Sequence, residues 1–343
     1  MSKAKLHKTY NLALKAIILI LAYYMLYYQI FKEHNPKEMI EFLSREYAQS
    51  GIFLPIMGVF LMMFLNWGTE SLKWQFLIRK NEKISYLESI KGVFSGVTIS
   101  SMTPNRVGEY LGRVFILKKT HPLRGILITI VGSISQLLVT ITLGSVSLLY
   151  LLILFPEKLN LHNPYIQISS IVIVLLIWFL LAGLYFNLRI ISTLTTYLTR
   201  RWPKIKRFAN VFSLYSRHDL LKVFLFSALR YMIFSLQFYF LLRIFHLDFN
   251  LFYGFLAVSL IFLGITVIPS IALAEVGIRG SVAVFVVNLF VDIIPLSASE
   301  GYQFNIIAVS TLLWIINIVI PSILGSGFIF SLSFFKSNKH NDY

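Results

Sequence analysis

Cysteine is absent from the 343 residues, which excludes disulfides, thiolate nucleophiles and cysteine-based metal sites. Charge is scarce as well: 13% of residues are charged and 57% are apolar or aromatic, whereas soluble domains carry about 25% and about 45–50%. With a mean hydropathy of +0.74, the chain reads as a polytopic membrane protein. No polar block approaches the roughly 100 residues that a soluble catalytic domain needs. The seven histidines lie at helix ends or in loops, without HxxxH or HExxH spacing. There is no P-loop, no GxSxG and no DxD pair. The sequence therefore offers no catalytic residue, no metal site and no cofactor site, and is not read as an enzyme. The first apolar run lacks a small-residue cleavage site after it, so it is expected to be a retained helix.

Acidic residues are the scarcest charge. Fifteen Asp and Glu stand against 31 Lys and Arg, a net charge of +16. Because the basic residues punctuate apolar spans, they suit loops facing an anionic leaflet and not nucleic acid. The many tyrosines and phenylalanines suit interfacial belts and packing.

A membrane-spanning helix needs about 20 mainly apolar residues. Six stretches qualify: Asn11 to Phe31, Ile52 to Leu77, Gly125 to Phe155, Tyr165 to Leu188, Leu220 to Leu247 and Tyr302 to Phe335. Two further regions, Ile84 to Lys118 and Leu251 to Pro295, each have two apolar arms broken by a polar knot. The knots are Ser100 to Arg106 and Pro269 to Glu275. The arm from Val107 to Leu117 is too short to cross alone, so both regions are read as re-entrant hairpins, tolerable where protein or a watery cavity covers the bent backbone.

Loop charges orient these spans. Lys3, Lys5 and Lys8 precede the first span, and the next loop is acid-rich, with Glu33, Glu38, Glu41 and Glu46. The N-terminus is therefore expected in the cytoplasm. Arg79, Lys80, Lys83, Lys118, Lys119 and Arg124 fall on the same side if the first hairpin enters and leaves there. The region 189–219 is the strongest inside signal, a basic cytoplasmic loop. Asp248, Asp292 and Glu300 flank the second hairpin outside, and Lys336 and Lys339 close the chain inside.

The predicted fold is thus an all-α polytopic membrane protein, a single integral membrane domain over 1–343, with about six full transmembrane helices and two re-entrant helical hairpins. Each half reads helix, helix, hairpin, helix, over 11–155 and 165–335. The odd number of crossings per half inverts the second copy. Inverted repeats with broken helices are the architecture of alternating-access transporters.

Within the first knot, Arg106, Glu109 and Arg113 recur at helical spacing along one face. Pro104 suits the start of that arm, and Gly108 and Gly112 permit close packing or backbone access. The arm is a candidate anion site built from free N-terminal amides and Arg106; in the alternative, Arg106 and Glu109 only neutralise each other. Glu275 and Arg279, four apart beside Gly277 and Gly280 and after Pro269, hold the equivalent place in the second hairpin. They form either part of one central cavity or a local ion pair. Asn66, Glu70 and Lys73 recur in the second span. Glu70 must face the bundle and find a cation, while Lys73 either joins it or snorkels to the surface. Arg230 lies roughly 15 Å into its span, too deep to snorkel with ease. It is the best single candidate for an intramembrane anion contact or for pairing with Glu70 or Glu275, with Gln237 on a similar face.

These knots carry a resemblance. Thr103-Pro104-Asn105-Arg106-Val107-Gly108-Glu109 followed by Arg113, and the upstream Leu72-Lys73-Trp74-Gln75, resemble the transmembrane domain of lysylphosphatidylglycerol synthase/flippase proteins and the stand-alone members of that superfamily. At the second knot Leu273-Ala274-Glu275-Val276-Gly277-Ile278-Arg279-Gly280 lacks that family's glycine pair, and its acid stands further forward. The resemblance implies a cell-membrane domain that binds or translocates lipids, either anionic phospholipids or lipid-linked polar heads. The aminoacyl-transfer domain of the bifunctional proteins is missing, so synthesis by this chain alone is not expected. Two other readings remain open: a membrane subunit, catalytic or not, of a lipid-carrier-dependent transferase acting with a separate partner, and a small-solute transporter. Head group, energy source, direction and oligomeric state are not written in the sequence.

Overall fold

The computed structural model describes residues 53–101, 103, 106–188, 211–268, 275–291, 293 and 302–331, with isolated positions between 15 and 27 and at 190 and 193. Most of the expected first span, Pro104 and Asn105, residues 269–274, most of the basic loop, Asp292, Glu300, Lys336 and Lys339 lie outside the described residues.

Among the described residues the chain is all helix: α1 Phe53–Ile78, α2 Tyr86–Ser100, α3 Gly108–Val114, α4 Pro122–Leu154, α5 Pro164–Phe186, α6 Arg217–Ile244, α7 Leu251–Val267, α8 Glu275–Val291 and α9 Tyr302–Phe328. Five of these, α1, α4, α5, α6 and α9, are long and apolar enough to cross a membrane. Their starts follow local chemistry. Ser85 with Glu88 and Ser216 with Asp219 form reciprocal caps over α2 and α6. Pro122 and Pro164 occupy first-turn positions where a missing N–H costs nothing. Inside α9 a five-residue π-turn, Ile315–Val319, shifts the backbone register.

The first broken region forms an antiparallel helical hairpin. A Cβ placed on Gly112 would lie 2.3 Å from the Gly96 Cα, and one on Gly108 would lie 2.5 Å from the Ile99 carbonyl oxygen. Only glycine allows α2 and α3 to approach so closely, the usual device where apolar burial drives no helix association. The second half of α9 lies along α2, with the Thr98 hydroxyl donating to the Ser322 carbonyl at 2.7 Å. Helices α7 and α8 form the second pair, meeting where Gly264 faces the Val282 side chain.

One end of the bundle is basic. There the Glu82 carboxylate, in the turn after α1, accepts from the backbone N–H groups of Lys118, Lys119 and Thr120 at 2.8–2.9 Å and from the Thr120 hydroxyl. Burial pushes this carboxyl up, but those donors outweigh it and hold it below the usual carboxylate range. The start of α2 and the end of α3 are thereby tied to the same end of the bundle. Lys80 pairs with Asp219, and the Tyr215 hydroxyl donates to the Leu77 carbonyl, bringing the start of α6 there too. Helix α5 is the outlier: Tyr185 is its sole buried residue, so its apolar surface faces outward.

Candidate functional site

The site grows from one carboxylate. Glu70, in the C-terminal half of α1, is 3% exposed and takes three cations from three helices. Lys73 Nζ lies 2.7 Å from Oε2, Arg230 Nη1 donates to the same oxygen at 2.9 Å, and Arg113 Nη1 donates to Oε1 at 2.8 Å. Lys73 therefore does not snorkel: at 1% exposure it turns inward, where Glu70 and the Gly132 carbonyl and Ser227 hydroxyl receive it. A buried carboxylate with several charge-assisted bonds makes this a rigid junction of α1, α3 and α6.

Arg113 bridges to a second carboxylate, Glu109, one turn earlier on α3. The close ion pair of Glu109 among the described residues is thus with Arg113. Arg106 stands just before α3 with a left-handed backbone, φ 58°. The seven-residue helix begins only at Gly108, whose N–H already donates to the Thr103 hydroxyl at 2.8 Å. The first amide of this helix is thus taken. Arg106 offers its side chain: its buried Nη2 has no hydrogen-bond partner among the described residues.

Across the bundle, Arg279 Nη2 donates to Glu275 at 2.7 Å in the first turn of α8. Among the described residues nothing lies within 4 Å of a Cβ placed on Gly277 beside them. Gln237 donates to the Val59 carbonyl and is buried as a structural contact. Pro104 and Pro269 lie outside the described residues.

Arg106, Arg230 and Arg279 line a single cavity of about 180 Å³, several times the volume of one water. The ends of the two hairpins meet there. Asn66, Gln136 and Asn317 add polar surface, Tyr231, Phe234 and Phe262 form an aromatic wall, and no carboxylate lines the space among the described residues. Arg230 is fixed from both sides. Its Nε donates to Asn66 Oδ1 at 2.9 Å, and its guanidinium lies 4.8 Å from the Trp67 ring centre.

Asn317 and Trp67 escaped the sequence reading. Asn66 Nδ2 donates to Asn317 Oδ1 at 2.9 Å, and Trp67 Nε1 donates to the Asn317 carbonyl at 3.1 Å, within the π-turn. The signal was present: Asn317 is the lone amide in the apolar run from Leu312 to Ile320.

Fold and site together define a class: a polytopic α-helical membrane protein whose helical pairs meet at an arginine-lined cavity. No curated protein matches the chain. Residues 12–320 match the family model for the lysylphosphatidylglycerol synthase TM region, and the chain belongs to that family.

Proposed function

We propose that the chain handles membrane lipids, binding the phosphate of an anionic lipid in the central cavity while the acyl chains stay in the bilayer, and that it carries such lipids between leaflets. Family membership supports a lipid-related role. The observation that carries the reading is the set of three arginines around one cavity with no lining carboxylate. Guanidinium forks match phosphate geometry better than ammonium groups, and a low-dielectric setting strengthens the contact. On this reading the two helical pairs are the re-entrant parts of an inverted repeat, 11–155 and 165–335, and the basic end faces the cytoplasm of the cell membrane.

The test is reconstitution of the purified chain in liposomes carrying a head-group-labelled anionic phospholipid, with movement between leaflets followed by chemical quenching of the outer label. Protein-dependent movement is expected. No movement of any tested phospholipid would turn the assignment to a transferase subunit or a solute transporter.

A further inference from the structure

We infer that the cavity selects a doubly charged phosphate, a phosphomonoester or diphosphate head, over a singly charged phosphodiester; the inference rests on the lipid reading above and narrows its substrate. The charges joined at the site are unequal. Lys73, Arg106, Arg113, Arg230 and Arg279 face three carboxylates among the described residues, Glu70, Glu109 and Glu275. The knot residues outside the described set, Met102, Pro104, Asn105 and 269–274, have no ionisable side chain and cannot supply the missing charge.

Excess charge held away from bulk water is costly unless something neutralises it, and among the described residues of the site the deficit is two negative charges. None of the three carboxylates lines the cavity among the described residues: Arg230 and Arg279, which do, pair with Glu70 and Glu275, and Glu109 pairs with Arg113, which leaves Arg106 as the lining arginine with a free donor. Arg106 marks the open position, with a buried Nη2 that no described residue satisfies and a backbone held in a sparsely populated region. Gln136 from α4 presents a further unpaired atom, Oε1, able to accept from a protonated oxygen or a bridging water. A phosphodiester supplies one charge and leaves one cation uncompensated. A dianionic phosphate supplies both.

The experiment measures binding of the purified full chain in detergent to phosphatidic acid and to phosphatidylglycerol of identical acyl chains, with glycerol 3-phosphate as a soluble competitor. Readings at about pH 5 and about pH 8 bracket the second phosphate pKa of about 6. The diester does not titrate there, so its binding carries any change in the protein's own groups, and the ratio of affinities isolates the ligand. The preference for phosphatidic acid should rise by about tenfold or more across this range. Arg106→Gln should flatten the rise. Gln136→Glu, which places a carboxylate on the cavity wall, should flatten it as well, and thermal unfolding of each variant reports whether the fold survives. Equal binding of the two lipids at both pH values would overturn the dianion preference and leave the lipid reading standing. Binding of neither lipid would overturn both. Competition by glycerol 3-phosphate as effective as phosphatidic acid itself would uphold the dianion and overturn the lipid.

Discussion

Arg113 reaches Glu70 at 2.8 Å across 43 positions of sequence, and this bond ties the short arm of the first hairpin to the C-terminal half of α1. The same carboxylate receives Lys73 and Arg230. Glu70→Gln should therefore leave three cations short of their common partner and cost about 3–5 kcal/mol, the usual penalty for breaking a buried pair. Thermal unfolding in detergent, with exposed Glu157→Gln as the control, measures it. Glu109→Gln should cost less, because Arg113 keeps Glu70; equal losses would contradict the shared-carboxylate arrangement.

The hairpin can be tested through its glycines. Gly112→Ala pushes a methyl group to 2.3 Å from backbone, which cannot yield as a side-chain tip does. It should destabilise by about 1–3 kcal/mol or more. Gly183→Ala on α5, with open space around it, should be neutral or slightly stabilising. Similar unfolding temperatures for the two variants would contradict the close approach of α2 and α3.

Acid stability should carry a signature of Glu82. Its folded pKa is depressed, so the unfolded chain takes the proton first as pH falls through the ordinary glutamate value of about 4.3. The contribution is full above that value and is lost as pH falls on through the folded pKa. Glu82→Gln should remove this part of the pH dependence and lower stability at neutral pH. An unchanged acid profile in the variant would contradict the clamp on residues 118–120.

Topology is accessible because the chain has no native cysteine. Lys204→Cys in intact cells should react with an impermeant thiol reagent only after permeabilisation, as a cytoplasmic basic loop requires. Labelling from outside would reverse the orientation.

Apolar runs and caps made the helices legible: capped by Ser216, the helix Arg217–Ile244 begins three residues before the expected Leu220, because a polar first turn hides a helix start from hydropathy. The need of Glu70 for a cation was legible as well, since an unpaired carboxylate in lipid is untenable. Arg230 was legible as a candidate partner from its depth in the span, whereas Arg113 was not, because it lies 43 positions away and only the fold of the first hairpin against α1 brings it near. Lys73 was ambiguous for a related reason. A lysine near a helix end snorkels or turns inward according to what stands beside it, here Glu70 and the wall of α4. Asn317 acquires its role from the π-turn, a register change that no residue spacing announces.

The most direct test of the account replaces the cavity's guanidinium forks without altering charge. Arg106→Lys combined with Arg230→Lys keeps both cations but removes the planar donors that fit phosphate. In liposomes carrying head-group-labelled anionic phospholipid, the doubly substituted protein should lose about tenfold or more of the leaflet-to-leaflet rate, with thermal unfolding measured beside it to show that the fold survives. Movement at the unmodified rate would remove Arg106 and Arg230 from the mechanism and contradict the account.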